Sequence, residues 1–187
     1  MISREWIREV LLLKRTLRTG WFQVGLDHPE SVGSHTFSLA LLVWKLAREA
    51  GGVNAERCAM MALVHDLHEA RLGDIPTPAK VHLPEGSIAA AERSIADSQW
   101  ADDPEGRALV EEFLAGETDE AQLVQAVDHL EFLYQAAEYR REGHVRTVRM
   151  LKRSRNGAAW RHPVTRPHVE MLLRELEEPA GSDAEGG

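Results

Sequence analysis

His35, His65, Asp66 and Asp128 are side chains of the kinds that bind divalent cations, and they stand where a helical chain would turn them inward. His65 and Asp66 fall at the end of an apolar helical stretch, AMMALVHDLHEA, where an unsatisfied charged pair is costly. Glu69 comes four residues after His65 and three after Asp66, on the same helical face. His35 opens an earlier apolar helix after SVGS, and Asp128 lies inside another, QLVQAVDHLEFLYQAA. Two imidazoles and two carboxylates from three helices suit a borderline divalent cation. Taken one at a time, each is equally readable as a separately satisfied helix residue, so residue type alone leaves both readings open.

The elements that must position these groups read as helix after helix. From Ser3, the residues Trp6, Ile7, Val10, Leu11 and Leu17 recur at helical spacing opposite Arg4, Arg8, Lys14 and Arg15. A loop with three glycines and Pro29 follows from Arg18 to Ser34. A periodic helix over 35–50 stops at Gly51-Gly52, and Asn54 caps the next, with Cys58, Met61, Ala62 and Val64 facing inward. That helix runs into HDLHEARLGD and breaks before Pro76-Thr77-Pro78. Helices are further predicted near 85–100, 105–115, 119–142, 144–155 and 164–177. No stretch alternates with period two, which makes the chain an all-α, single-domain helical bundle over 1–178, with a disordered tail at 179–187.

Composition narrows the function classes. The 187 residues fit one domain, and 43% hydrophobic with 28% charged residues is an ordinary globular balance. A net charge of −8 argues against a nucleic-acid polymer or an anionic membrane as partner, both of which require a basic face. Cys58 is the one cysteine, so no intramolecular disulfide or CxxC site forms, and a reducing cytoplasm is expected. No apolar run approaches the roughly 20 residues that span a bilayer, and the N-terminus lacks a signal-peptide layout. Charge is uneven: residues 85–120 hold eleven acids against two arginines, and residues 138–161 hold eight Lys/Arg against two acids. These segments read as solvated helix faces, or as surfaces that face an anionic ligand or a second copy.

The order of the ligand candidates carries a resemblance. His35, then His65-Asp66, then Asp128 resembles the H…HD…D signature of the HD-domain metal-dependent phosphohydrolases. LKRTLRTGW (13–21), PESVGSH (29–35), ALVHDLHEARLGDIPTP (62–78) and QAVDHLEFLYQAAEY (125–139) resemble its 5′-deoxynucleotidase branch. Ser34 stands where that branch has an acid, and His68 where a small residue is expected; after about residue 142 the likeness fades.

The resemblance implies one divalent cation held by His35, His65, Asp66 and Asp128, with Mn, Co, Zn, Fe, Ni and Mg not distinguishable from the donor set. It implies that Glu69 accepts a proton from the attacking water, and that Asp74 orients water or protonates the leaving 5′-oxygen. Arg18 matches the family's phosphate-binding arginine, Trp21 would be a flat wall for sugar or base, and Thr77, between two prolines, a donor to substrate. The expected reaction is removal of the 5′-phosphate from (deoxy)ribonucleoside monophosphates by a homodimer. Rival readings are hydrolysis of an alarmone, cyclic nucleotide or triphosphate, a di-iron oxygenase using His68 or His82, and a nucleotide-sensing helical module without turnover. His129 neighbours Asp128 but points about 100° away around the helix, and His28, His82, His144, His162 and His168 lack partner spacing; Trp6, Trp44, Trp100 and Trp160 read as core or interface residues.

Overall fold

The computed structural model describes residues 1–152 and 154–177, so the tail expected at 179–187 lies outside the described residues. Among these, secondary structure is helical apart from one isolated antiparallel bridge between Leu17 and Ser31.

Helix α1 (Arg4–Leu12) starts where Ser3 Oγ accepts from the Trp6 amide at 3.0 Å. Its apolar stripe does not pack inward as expected: Ile7, Val10, Leu11 and Leu12 are exposed, and the buried member is Glu9. The reason is tertiary. Arg71 Nε donates to Glu9 at 2.7 Å and Gln99 Nε2 donates at 2.8 Å, so the carboxylate is satisfied inside while the alkyl groups remain outside.

Helices α2 (Val32–Ala50) and α3 (Ala55–Val64) form an antiparallel hairpin across Gly51–Asn54. Asn54 Oδ1 accepts from the Arg57 amide at 2.8 Å and starts α3 as expected. Leu39, Val43, Cys58, Met61 and Ala62 point inward, and burying a side chain of Leu or Val size contributes about 1.5–3 kcal/mol. Phe37, Leu41, Trp44, Met60 and Leu63 form the opposite, exposed face.

Two single-turn helices, α4 (Glu69–Leu72) and α5 (Thr77–Lys80), lead to α6 (Ser87–Gln99), α7 (Pro104–Ala115) and the long α8 (Asp119–Arg141). The hairpin lies against α8, whose Leu123, Val124, Val127, Leu130, Leu133 and Ala137 are buried. The continuous helix expected at 144–155 is instead a 3₁₀ turn at Val145–Thr147, the short α9 (Val148–Leu151) and another 3₁₀ turn at Ser154–Asn156. Gly143 ends α8, and Thr147 Oγ1 donates to the His144 carbonyl at 2.9 Å, a local bond that competes with helix. Helices α10 (Ala158–Arg161) and α11 (Arg166–Glu177) then pack back onto α8.

Candidate metal centre

The start of α2 sets the first ligand candidate. Ser31 Oγ accepts from the Ser34 amide at 3.1 Å, so the helix begins three residues before His35 and not at it. The Val32 and Gly33 amides, which lack partners within the helix, donate to Thr16 and Leu13 carbonyls at 2.8 and 2.9 Å. Glycine at 33 suits that close docking: a Cβ there would meet the Leu13 backbone at 3.3 Å, a tight contact that the backbone would have to ease. His35 is thereby held in the first turn of α2, fully buried, facing α8.

Both imidazoles are oriented by a bond at Nδ1. His65 Nδ1 lies 2.7 Å from the Ala62 carbonyl, an acceptor only, so Nδ1 carries the proton. The His35 Nδ1 lies 2.7 Å from Glu131 Oε2 and donates to it in the same way. The Nε2 atoms are left to face carboxylates. His65 Nε2 is 3.0 Å from Asp66 Oδ2; His35 Nε2 is 3.1 Å from Asp128 Oδ1 and 4.0 Å from Asp66 Oδ2. The His35 Nε2 is buried and makes no hydrogen bond. Neutral rings aimed at ionised carboxylates place acceptor against acceptor, an arrangement relieved by a proton on the ring or a cation between the groups. The donor atoms of His35, His65 and Asp66 lie within 4.8 Å of one another, and Asp128 joins through His35. Nitrogen and oxygen donors, two buried rings beside partly exposed carboxylates, and an orphaned ring nitrogen fit a divalent cation.

Electrostatics follow from the crowding. For His35, burial works against the charged ring, but the nearby carboxylates of Asp128 and Glu131 outweigh it and push the pKa up to about 10. Burial likewise opposes charge on Asp66 and Asp128, yet His65, His35 and Arg18 hold both carboxyls below the usual range. Arg18 is kept charged despite burial by Asp128, Asp66, Glu30 and Glu131. Glu69 is pushed up to about 9 by burial and then by the charges of Asp66 and Asp74. Its carboxylate lies within 4.8 Å of donor atoms on Asp66 and His68.

Arg18, Glu69 and the four ligand candidates are therefore brought together, but the other three candidates sit differently. Asp74 Oδ2 accepts from the Thr19 amide, from Thr19 Oγ1 at 3.0 Å and from the Gly20 amide at 3.4 Å, latching the loop after Arg18 to the end of the HD segment. Trp21 is enclosed, which does not suit the flat wall for sugar or base that the resemblance implies. Its indole is 1% exposed, stacks on Phe132 at 4.7 Å, meets Tyr139 edge-on at 5.1 Å and donates from Nε1 to Glu30 at 3.0 Å. Thr77 is exposed at the start of α5 and makes no hydrogen bond to the cluster among the described residues. His68 donates from Nδ1 to the His65 carbonyl at 3.0 Å and faces Glu92 at 3.6 Å. His129 turns away from Asp128 and accepts from the Ala159 amide at 3.2 Å. Sequence reasoning missed Glu131 and Glu30. The signal for Glu131 was its place one turn after Asp128 on an apolar helix, where a lone carboxylate requires a partner.

A helical bundle in which an HD pair meets a histidine and an aspartate from two further helices is the architecture of one class. The HD domain family matches residues 10–159, and the chain belongs to that family. It is 34% identical over 188 residues to a 5′-deoxynucleotidase of Danio rerio, covering 98% of this chain and 90% of the relative. A 5′-deoxynucleotidase of Schizosaccharomyces pombe is 28% identical, covering 89% and 86%. A solved structure of a conserved hypothetical protein from Pyrococcus furiosus superposes with a TM-score of 0.75 at 29% identity, covering 92% of this chain and 99% of that one.

Proposed function

We propose that this protein hydrolyses the 5′-phosphate of (deoxy)ribonucleoside monophosphates, giving nucleoside and inorganic phosphate, with one divalent cation at His35, His65, Asp66 and Asp128. The observation that carries the reading is the pair of imidazole Nε2 atoms turned onto two carboxylates with the Arg18 guanidinium beside them. The 5′-deoxynucleotidase relatives support the substrate class. When bound, the cation supplies a Lewis acid that polarises a phosphoryl oxygen and lowers the pKa of water.

The chain's own groups do the rest. Arg18 presents a planar fork to the phosphate oxygens, and its carboxylate neighbours keep it charged. Glu69 takes the proton of the attacking water; charge compensation on Asp66 removes part of what holds its carboxyl protonated. Water oxygen bonds to phosphorus, the bond from phosphorus to the 5′-oxygen breaks, and the leaving oxygen takes a proton. We assign its delivery to the Asp74 side of the site, where Asp74 also fixes the Arg18 loop. Trp21 shapes that loop from within the core, and the exposed Thr77 is assigned as a donor to substrate.

The same reading makes the chain a homodimer working in the cytoplasm. Support for pairing is the exposed apolar face of Phe37, Leu41, Trp44, Met60 and Leu63 on the outer side of the α2–α3 hairpin. Cys58, buried and with its thiol pushed up to about 11 by burial, is unreactive in such a compartment. Among the described residues no helix is long and apolar enough to cross a membrane. The deciding experiment is phosphate release from matched mono-, di- and triphosphate, cyclic and alarmone-type nucleotides with Mn, Co, Mg, Zn, Fe and Ni. Cation-dependent release from deoxymonophosphates above the other classes is expected. Preference for a polyphosphate or cyclic substrate overturns the reading, and light scattering at about 21 kDa in solution overturns the dimer.

A further inference from the structure

Behind His35 lies a pair of buried acids that the proposed chemistry leaves without a task. Glu131 is 5% exposed, and its Oε2 accepts from His35 Nδ1 at 2.7 Å. A ring nitrogen of His35 and one carboxylate oxygen each of Glu30 and Glu131 lie within 4.8 Å of one another. Glu30 is gripped from several directions. Its Oε1 accepts from Trp21 Nε1 at 3.0 Å and lies 3.9 Å from Arg18 Nε; its carbonyl accepts from the Arg18 amide, and its amide donates to Tyr139 Oη at 2.8 Å.

Two carboxylates this close and this buried repel each other. Their retention calls for a compensating role, and each faces a different functional group. Glu131 faces the back of an imidazole whose front nitrogen is orphaned toward the cation site. Glu30 faces the guanidinium assigned to phosphate.

We propose that Glu131 and Glu30 are positioning residues that tie the cation site to the phosphate-binding arginine. Glu131 fixes the His35 tautomer, aims Nε2 at the cluster and raises its donor strength. Glu30 holds Arg18 in register with that ring through the Trp21 loop. The inference rests on the cation-dependent reading above, and its test begins with binding, not turnover.

The test measures Co²⁺ affinity by equilibrium dialysis, the visible Co²⁺ spectrum and thermal unfolding in wild type, Glu131→Gln, Glu131→Ala and Glu30→Gln. Glu131→Ala is expected to lose about 10–100-fold in Co²⁺ affinity and to shift the spectrum. Glu131→Gln retains an acceptor oxygen without the charge, so it should fall between Glu131→Ala and wild type. Glu30→Gln keeps an acceptor for Trp21; it should bind Co²⁺ within about twofold of wild type yet hold inorganic phosphate severalfold more weakly once loaded. Wild-type affinity and spectrum in Glu131→Gln overturns the Glu131 assignment even if Glu131→Ala fails to fold. Unchanged phosphate affinity in Glu30→Gln overturns the coupling to Arg18. Absence of Co²⁺ binding in wild type overturns the cation reading itself.

Discussion

Replacing Trp21 by phenylalanine separates an indole that touches substrate from one that holds a loop. The substitution keeps an aromatic ring over Phe132 but removes the Nε1–H that donates to Glu30 at 3.0 Å. A buried acceptor deprived of its donor costs about 1–3 kcal/mol. The volume left by the smaller ring adds about 1 kcal/mol at a site 1% exposed. The sum, about 2–4 kcal/mol, corresponds to a fall in Tm of roughly 5–15 °C for a chain of this size. Urea unfolding and a thermal scan measure it. The companion assay is kcat/KM for a matched deoxyribo and ribo monophosphate. Because the ring is enclosed by Phe132, Tyr139 and Glu30, the deoxy-to-ribo ratio should stay within about twofold of wild type while stability falls. Unchanged stability with a collapsed ratio would refute the packing argument and return the indole to the sugar.

Four further outcomes are expected. Alanine at His35 or Asp128 should abolish both bound cation and phosphatase activity, read by elemental analysis; full occupancy in either variant removes it from the ligand set. Glu69→Gln should retain the cation and lose roughly 10²-fold or more in kcat, since an amide accepts no proton. Asp74→Ala should raise KM as well as lower kcat, because Thr19 and Gly20 lose their shared acceptor and the Arg18 loop loosens; a KM at the wild-type value would mean that the latch is dispensable. Gly157→Ala should destabilise by about 1–3 kcal/mol, since its Cβ would overlap the His129 ring, and His129→Ala in the same chain should recover most of that loss in a double-mutant cycle.

Much of this architecture could be read from periodicity. The hairpin of α2 and α3, the long α8 and the caps at Ser3 and Asn54 follow from apolar spacing, glycines and polar residues at helix starts, all local signals. The gathering of His35, His65, Asp66 and Asp128 was legible for a different reason: their order along the chain resembles the H…HD…D signature, whereas charged groups on apolar helices by themselves left two readings open. What escaped was decided by distant partners. The α1 stripe looked core-facing, but Arg71 and Gln99 draw Glu9 inward and leave Ile7 and Leu11 outside. Trp21 looked like a wall for sugar or base, but Phe132 and Tyr139 close over it from α8. Asp74 was read as orienting water or protonating the leaving oxygen, and its grip on Thr19 could not be inferred from a motif 55 residues away.

One property of α8 bears on how this chain can vary. Asp128, Glu131 and Tyr139 share it, and at 100° per residue they fall within a sector of about 80°. Over about 16 Å of axis this helix sets a ligand candidate, the acid behind His35, and the phenol that receives the Glu30 amide. A single inserted or deleted residue between 128 and 139 would swing Tyr139 about 100° out of register with Asp128. The exposed stretch from Val81 to Gly86 carries no such constraint. Length variation among natural homologues should therefore collect before α6 and be absent from this segment of α8. The helix works as a measuring rod whose graduations cannot shift one at a time.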